Sequence, residues 1–148
     1  MSDPLLVTRT TVVPTTPAEV FALLADPRRH VDLDGSGTLV ELLDGTGRRT
    51  LGAEFSMRMN AGARYTVRNT VVEFVEGVRI GWRHRARHVR RYELAAVDGG
   101  TAVTETWDGL AKRAPRLVTA IGMPRSAAAA IEATLDGLRS RFADVHAA

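Results

Sequence analysis

Three residues set the chemistry this sequence could carry: Arg90, Tyr92 and Glu105. Side chains alternate between the two faces of an extended strand, so Arg90, Tyr92, Leu94 and Ala96 share one face of the segment 88–97. By the same alternation Val103, Glu105 and Trp107 share one face of 101–108. Both sets lean apolar, which points them inward. An inward carboxylate must pair with a neighbouring arginine or histidine, or else hold its proton. In either state Glu105 could serve general acid/base work on a carbonyl compound. A purely structural ion pair is the competing reading.

The same alternation assembles a lining around this trio. Val78, Ile80, Trp82 and His84 share the inward face of 78–85, opposite Arg79, Arg83 and Arg85. Phe55, Met57 and Met59 share the inward face of 53–59, opposite Arg58. A cavity walled by Phe55, Met57, Met59, Trp82, Tyr92 and Trp107 suits flat or flexible apolar ligands, with His84, Arg90 and Glu105 as polar anchors. Ordinary core packing is the alternative for each of these side chains. His84 and His88 flank a hairpin at Ala86, where they are placed either to polarise a ligand or to be solvated strand ends.

Other chemistries find little support. The chain has no cysteine, which excludes disulfides, thiolate catalysis and cysteine-ligated zinc. His30 and His146 have no ligand spacing beside them, and no helix follows Gly99-Gly100 to make a phosphate cradle, so neither metal nor cofactor is expected. The basic cluster Arg79, Arg83, Arg85, Arg87, Arg90 and Arg91 occupies 13 residues. It suggests either a phosphate contact in an interaction or regulatory module, or the solvated face of a hairpin 79–91 partly neutralised by Glu73, Glu76 and Glu93. The solvated face is favoured, so nucleic acid is not the expected partner.

The elements that must position these residues follow from the pattern along the chain. Leu5–Val13 reads as a strand ending at Pro14. Thr16, Pro17 and Glu19 form a helix start in which hydroxyl and carboxylate can cap each other's amides, followed by Val20, Phe21, Leu23 and Leu24 and a stop near Asp26 and Pro27. The stretch Pro27–Gly37 suggests a second short helix or a structured loop. Six strands then follow at 38–43, 53–59, 64–75, 78–85, 88–97 and 101–108, separated by turns too short for anything but antiparallel pairing. Within 64–75, Tyr65, Val67 and Val71 claim one face while Val72 and Phe74 claim the other, a conflict that a bulge resolves. Ile131, Leu135, Leu138, Phe142 and Val145 make one apolar stripe on a helix of about 20 residues starting near Pro124.

With 148 residues, 45% hydrophobic and 25% charged, the chain is expected to form one soluble domain, residues 1–148. No run approaches the roughly 20 apolar residues of a membrane span, and no signal-peptide pattern opens the chain, so a cytoplasmic location is expected. Strand, two short helices, six strands and a long helix make an α+β fold. Its curved seven-stranded antiparallel sheet would wrap the C-terminal helix and leave a pocket lined also by Ile131 and Leu135.

This order, with Pro17-Ala18-Glu19-Val20-Phe21, Asp34-Gly35-Ser36-Gly37, Leu51-Gly52 before Phe55, Val72-Glu73-Phe74, Arg79-Ile80-Gly81-Trp82, Tyr92-Glu93-Leu94 and Gly99-Gly100-Thr101, resembles the START-like (SRPBCC) superfamily over nearly the whole chain. These are the polyketide cyclase/dehydrase and lipid-transport proteins of the helix-grip fold. Leu33 stands where many of them have tryptophan. The resemblance implies a small apolar ligand such as a lipid, sterol or polyketide, in a monomer or homodimer. It also implies, in an enzymatic variant, aldol or dehydration chemistry, with Tyr92 and Arg90 holding carbonyl oxygens and Glu105 moving a proton.

Overall fold

Thr16 starts the first helix as the sequence predicts: its hydroxyl accepts the Glu19 amide at 3.3 Å, and Pro17 opens the first turn. The Glu19 carboxylate accepts instead from the Thr15 hydroxyl. This helix, α1 (Pro17–Leu24), closes two residues before Asp26 and buries Val20, Phe21, Leu23 and Leu24. The computed structural model describes residues 5–26, 29, 39–44, 49–60, 62–84, 88–109 and 123–146. The second short helix expected within 27–37 falls, but for Arg29, outside the described residues, as does Leu33.

The strands are β1 (Leu6–Val13), β2 (Leu39–Asp44), β3 (Glu54–Asn60), β4 (Arg64–Val75), β5 (Arg79–His84), β6 (Val89–Val97) and β7 (Gly100–Asp108). They form one antiparallel sheet in the order β1-β7-β6-β5-β4-β3-β2. Every neighbour pair except β1–β7 is consecutive in sequence; β1 instead crosses to the far end of the chain and pairs with β7 from Leu6–Asp108 to Val13–Thr101. Gly100 sits at that junction with φ +145°, and a Cβ there would collide with the carbonyl oxygen of Val13, so only glycine fits.

The face conflict within β4 is settled by a register shift against β5 between Val71 and Glu73. Val67, Asn69 and Val71 are buried before it, and beyond it Phe74 packs edge-on against Phe21 of α1 at 5.5 Å. Two expected inward residues are not inward. Val78 lies in the β4–β5 turn, 48% exposed, because β5 begins only at Arg79. Ala96 is exposed because β5 stops pairing with β6 at Arg79–Glu93, so residues 95–97 run past it.

The long helix, α2 (Met123–His146), packs against β1 and β7, while α1 packs under β5, β6 and β7. Ile131, Leu135 and Leu138 of α2 are buried in one core cluster with the inward faces of the sheet, and Phe142 is half-buried against it. Val145 lies in the helix, but its side chain is outside the described residues. An Arg9–Glu132 ion pair at 3.1 Å ties α2 to the edge strand. Among the described residues no helix is long and apolar enough to cross a membrane.

Candidate functional site

Register alone brings the predicted trio together. Tyr92 faces Glu105 and Arg90 faces Trp107 across the β6–β7 ladder, while Ile80 and Trp82 of β5 stand opposite Tyr92 and Arg90. Glu105 is wholly buried and accepts a hydrogen bond from Arg90 Nη2 at 2.8 Å. The carboxylate thus takes the paired state of the two open to it. Tyr92 is 2% exposed, and burial pushes its phenol well above the ordinary value of 10.0. The charge of Glu105 and a hydrogen bond to it act in the same direction, against the opposing pull of Arg90 and Arg49. Tyr92 is therefore a neutral hydrogen-bond donor at physiological pH.

An aromatic wall flanks this polar cluster. Trp82 lies 5.6 Å from Tyr92, tilted by 35°, and Phe55 meets Trp82 edge-on at 5.9 Å. Met57, Leu94, Trp107, Ile131 and Leu135 are buried in the same cluster, and Met59 is half-buried against it. His84 and His88 stack at 4.4 Å, closed by the His84 amide on the His88 carbonyl at 2.8 Å, and His88 lies 5.7 Å from Trp107. The stacked histidines thus meet the tilted Trp107 ring beside Arg90.

Sequence reasoning missed Arg49. It lies outside any strand, in the loop before β3, and is 1% exposed. Its amide donates to Ala25 O at 2.8 Å and its Nη1 to Leu24 O at 3.0 Å, so its charge meets the carbonyl end of α1. The guanidinium carbon sits 4.0 Å from the centre of the Phe55 ring and 4.6 Å from that of Trp82. Burial lowers its pKa from 12.5 to about 9, with Tyr92 and then Asp26 acting the other way, so it remains a cation at neutral pH. Asn69 was also missed; it is buried at the register position between Phe55 and His84.

On the outer face two arginines of the basic hairpin are paired with carboxylates. Arg79 pairs with Glu93 at 3.2 Å, and Arg91 pairs with Glu73 at 2.7 Å and reaches Asp108 at 3.8 Å. Arg91 and Glu73 belong to β6 and β4, and they meet because the residue between them on β5 is Gly81, where a Cβ would stand 3.1 Å from Glu73 Oε2. Arg83 is exposed, while Arg85 and Arg87 lie outside the described residues. Among the described residues no group of three or more histidine, cysteine, aspartate or glutamate side chains is arranged to hold a metal ion.

This geometry has relatives. The protein CV1439 of Chromobacterium violaceum shares the fold with a TM-score of 0.75 at 16% identity, over 95% of this chain and 98% of that one. The polyketide-cyclase-like protein Cgl2372 of Corynebacterium glutamicum shares it with a TM-score of 0.67 at 19% identity, over 99% and 95%. Two uncharacterised proteins of Mycobacterium tuberculosis strains are 35% and 34% identical over 143 residues, 93% of this chain and 64% of theirs. The chain thus spans just under two thirds of the length of these curated relatives. The model of the polyketide cyclase/dehydrase and lipid transport family matches residues 4–143, and the chain belongs to that family.

Proposed function

We propose that the chain binds a small, largely apolar ligand in a cavity beside the inward wall of Phe55, Trp82 and Tyr92, with Arg90, Tyr92 and Glu105 meeting its oxygen atoms. The observation that carries this reading is the Arg90–Glu105–Tyr92 cluster: three polar side chains gathered inside an apolar core, in a family whose description is cyclisation, dehydration and lipid transport. A core that needed only stability would gain as much from hydrophobic residues of similar volume. A neutral phenol and a guanidinium can hold a carbonyl oxygen as enolate charge develops on it. In this reading Glu105, which accepts from Arg90, takes the α-proton and returns it to the departing hydroxyl, which leaves as water, while the Tyr92 hydroxyl turns to the carbonyl oxygen. The carboxylate ends as it began.

The alternative, nucleic-acid or protein contact through the hairpin 79–91, is weakened by the carboxylates that Arg79, Arg90 and Arg91 already engage. Titration with sterols, fatty acids and polyphenols, read as quenching of Trp82 and Trp107, tests the ligand reading. Saturable quenching by one class supports it. Flat titrations across the panel, with tight salt-dependent binding of nucleic acid, would replace it with the alternative.

A further inference from the structure

Asn69 carries an inference that rests on the ligand reading and sharpens it. Val67, Asn69 and Val71 alternate onto the inward face of β4, each at most 5% exposed. Asn69 is the polar member of that run. Its side chain offers two N–H donors and an acceptor oxygen, and among the described residues none of the three is engaged in a hydrogen bond. An unsatisfied buried amide costs stability, whereas a third valine at this place would not. The amide is better explained by what it meets than by what it packs against.

Its place on the sheet says what that is. Register sets Asn69 between Phe55 of β3 and His84 of β5, and side chains directly opposite one another stand about 5 Å apart at Cβ. Trp82 is opposite Val71, and its ring reaches Phe55 edge-on at 5.9 Å, so those two rings meet across β4 beside Asn69. On the other side the His84 ring stacks on His88 at 4.4 Å. The amide is therefore bordered by rings. Arg90, opposite Trp82, lies one pair of residues along from the Asn69 row and two strands over. That offset amounts to about 7 Å along the strands and about 10 Å across them. A fused two-ring body with an oxygen at each end spans such a gap.

We infer that Asn69 is a specificity-determining residue: it hydrogen-bonds a neutral oxygen of the ligand, a hydroxyl or a carbonyl, at the end of a flat ring body opposite the oxygen met by Arg90 and Tyr92. An amide both donates and accepts, so it takes either group without a charge. An analogue lacking that oxygen leaves the buried amide unpaired and is penalised for it. The ligand class is then a ring compound oxygenated at both ends, not a hydrocarbon chain with a single head group.

The test compares 2,6-dihydroxynaphthalene with 2-naphthol, by tryptophan quenching and calorimetry, on the unaltered protein and on Asn69→Leu. The affinity ratio of diol to naphthol should fall about tenfold in the variant, the factor expected of one buried hydrogen bond. Binding of 2-naphthol itself should be kept. Without ligand, Asn69→Leu should match or exceed the urea midpoint of the unaltered protein, because it removes an unsatisfied polar group. Should leucine not fold by circular dichroism, Asn69→Val, which repeats the residue on either side, takes its place in both measurements. An unchanged ratio would overturn the assignment, as would a lowered midpoint in the variant that folds, which would show the amide already satisfied within the fold. Failure of both naphthols to bind would overturn the ring-bodied ligand. Saturable quenching by sterols or fatty acids would then leave the apolar site standing, and flat titrations with those as well would overturn both readings.

Discussion

Glu105 and Arg90 stand on neighbouring strands, at positions offset by one pair of residues along the ladder, and join by a 2.8 Å hydrogen bond, with the carboxylate wholly buried and the guanidinium one-fifth exposed. Arg9, which is Glu105's own register partner on the other side, turns away to Glu132 of α2. The choice of partner keeps the pair inside the core and next to Tyr92.

Removing one member of this pair should cost more than removing both. Arg90→Met leaves a buried carboxylate without its cation and should destabilise by roughly 3 kcal/mol. Adding Glu105→Gln to it should recover most of that loss. Urea unfolding of the two single variants and the double variant measures the coupling; additive losses would show that the pair does not act as a unit.

Glu105→Gln alone keeps the shape and removes the proton acceptor. The fold should survive, and in the enzymatic form of the proposal turnover of a cyclisable or dehydratable carbonyl substrate should be lost. Unchanged turnover would remove Glu105 from the chemistry.

Tyr92 makes stability fall at alkaline pH. Its phenol is raised in the folded state, so the stabilisation is fully present below the unfolded value of 10.0 and is lost as pH rises from there toward the folded value. Tyr92→Phe should therefore flatten the alkaline decline in urea midpoint between about pH 9.5 and 11. An unchanged slope would show that the phenol ionises as freely in the folded chain as in the unfolded one.

Gly81 is where Glu73 and Arg91 cross β5. A side chain there would press on Glu73 Oε2 and on the Arg90 carbonyl, 3.1 and 3.3 Å from a Cβ. Gly81→Val should destabilise by about 1–2 kcal/mol. The loss should be smaller in a Glu73→Ala background, as thermal unfolding of the four chains would show.

Alternation made the inward faces of β3, β5, β6 and β7 legible, and with them Phe55, Trp82, Tyr92, Glu105 and Trp107. The bulge in β4 was legible as two apolar phases that no straight strand can satisfy. Alternation gives phase but not where a partner strand ends, so it puts Val78 and Ala96 inside although both are exposed. The α2 stripe told which helix face is buried, not that β1 and β7 receive it. Arg49 was invisible for a different reason. It belongs to no periodic element, and its burial depends on the carbonyls ending α1 and on rings from β3 and β5, which only the folded chain assembles.

The central claim is that these inward side chains border a space that a ligand occupies. A crystal structure grown with the tightest binder from the quenching panel tests it most directly. The account predicts ligand density against Trp82 and Tyr92, with an oxygen within hydrogen-bonding distance of Tyr92 Oη or Arg90. Density only on the outer surface, with the interior filled by side chains, would contradict it.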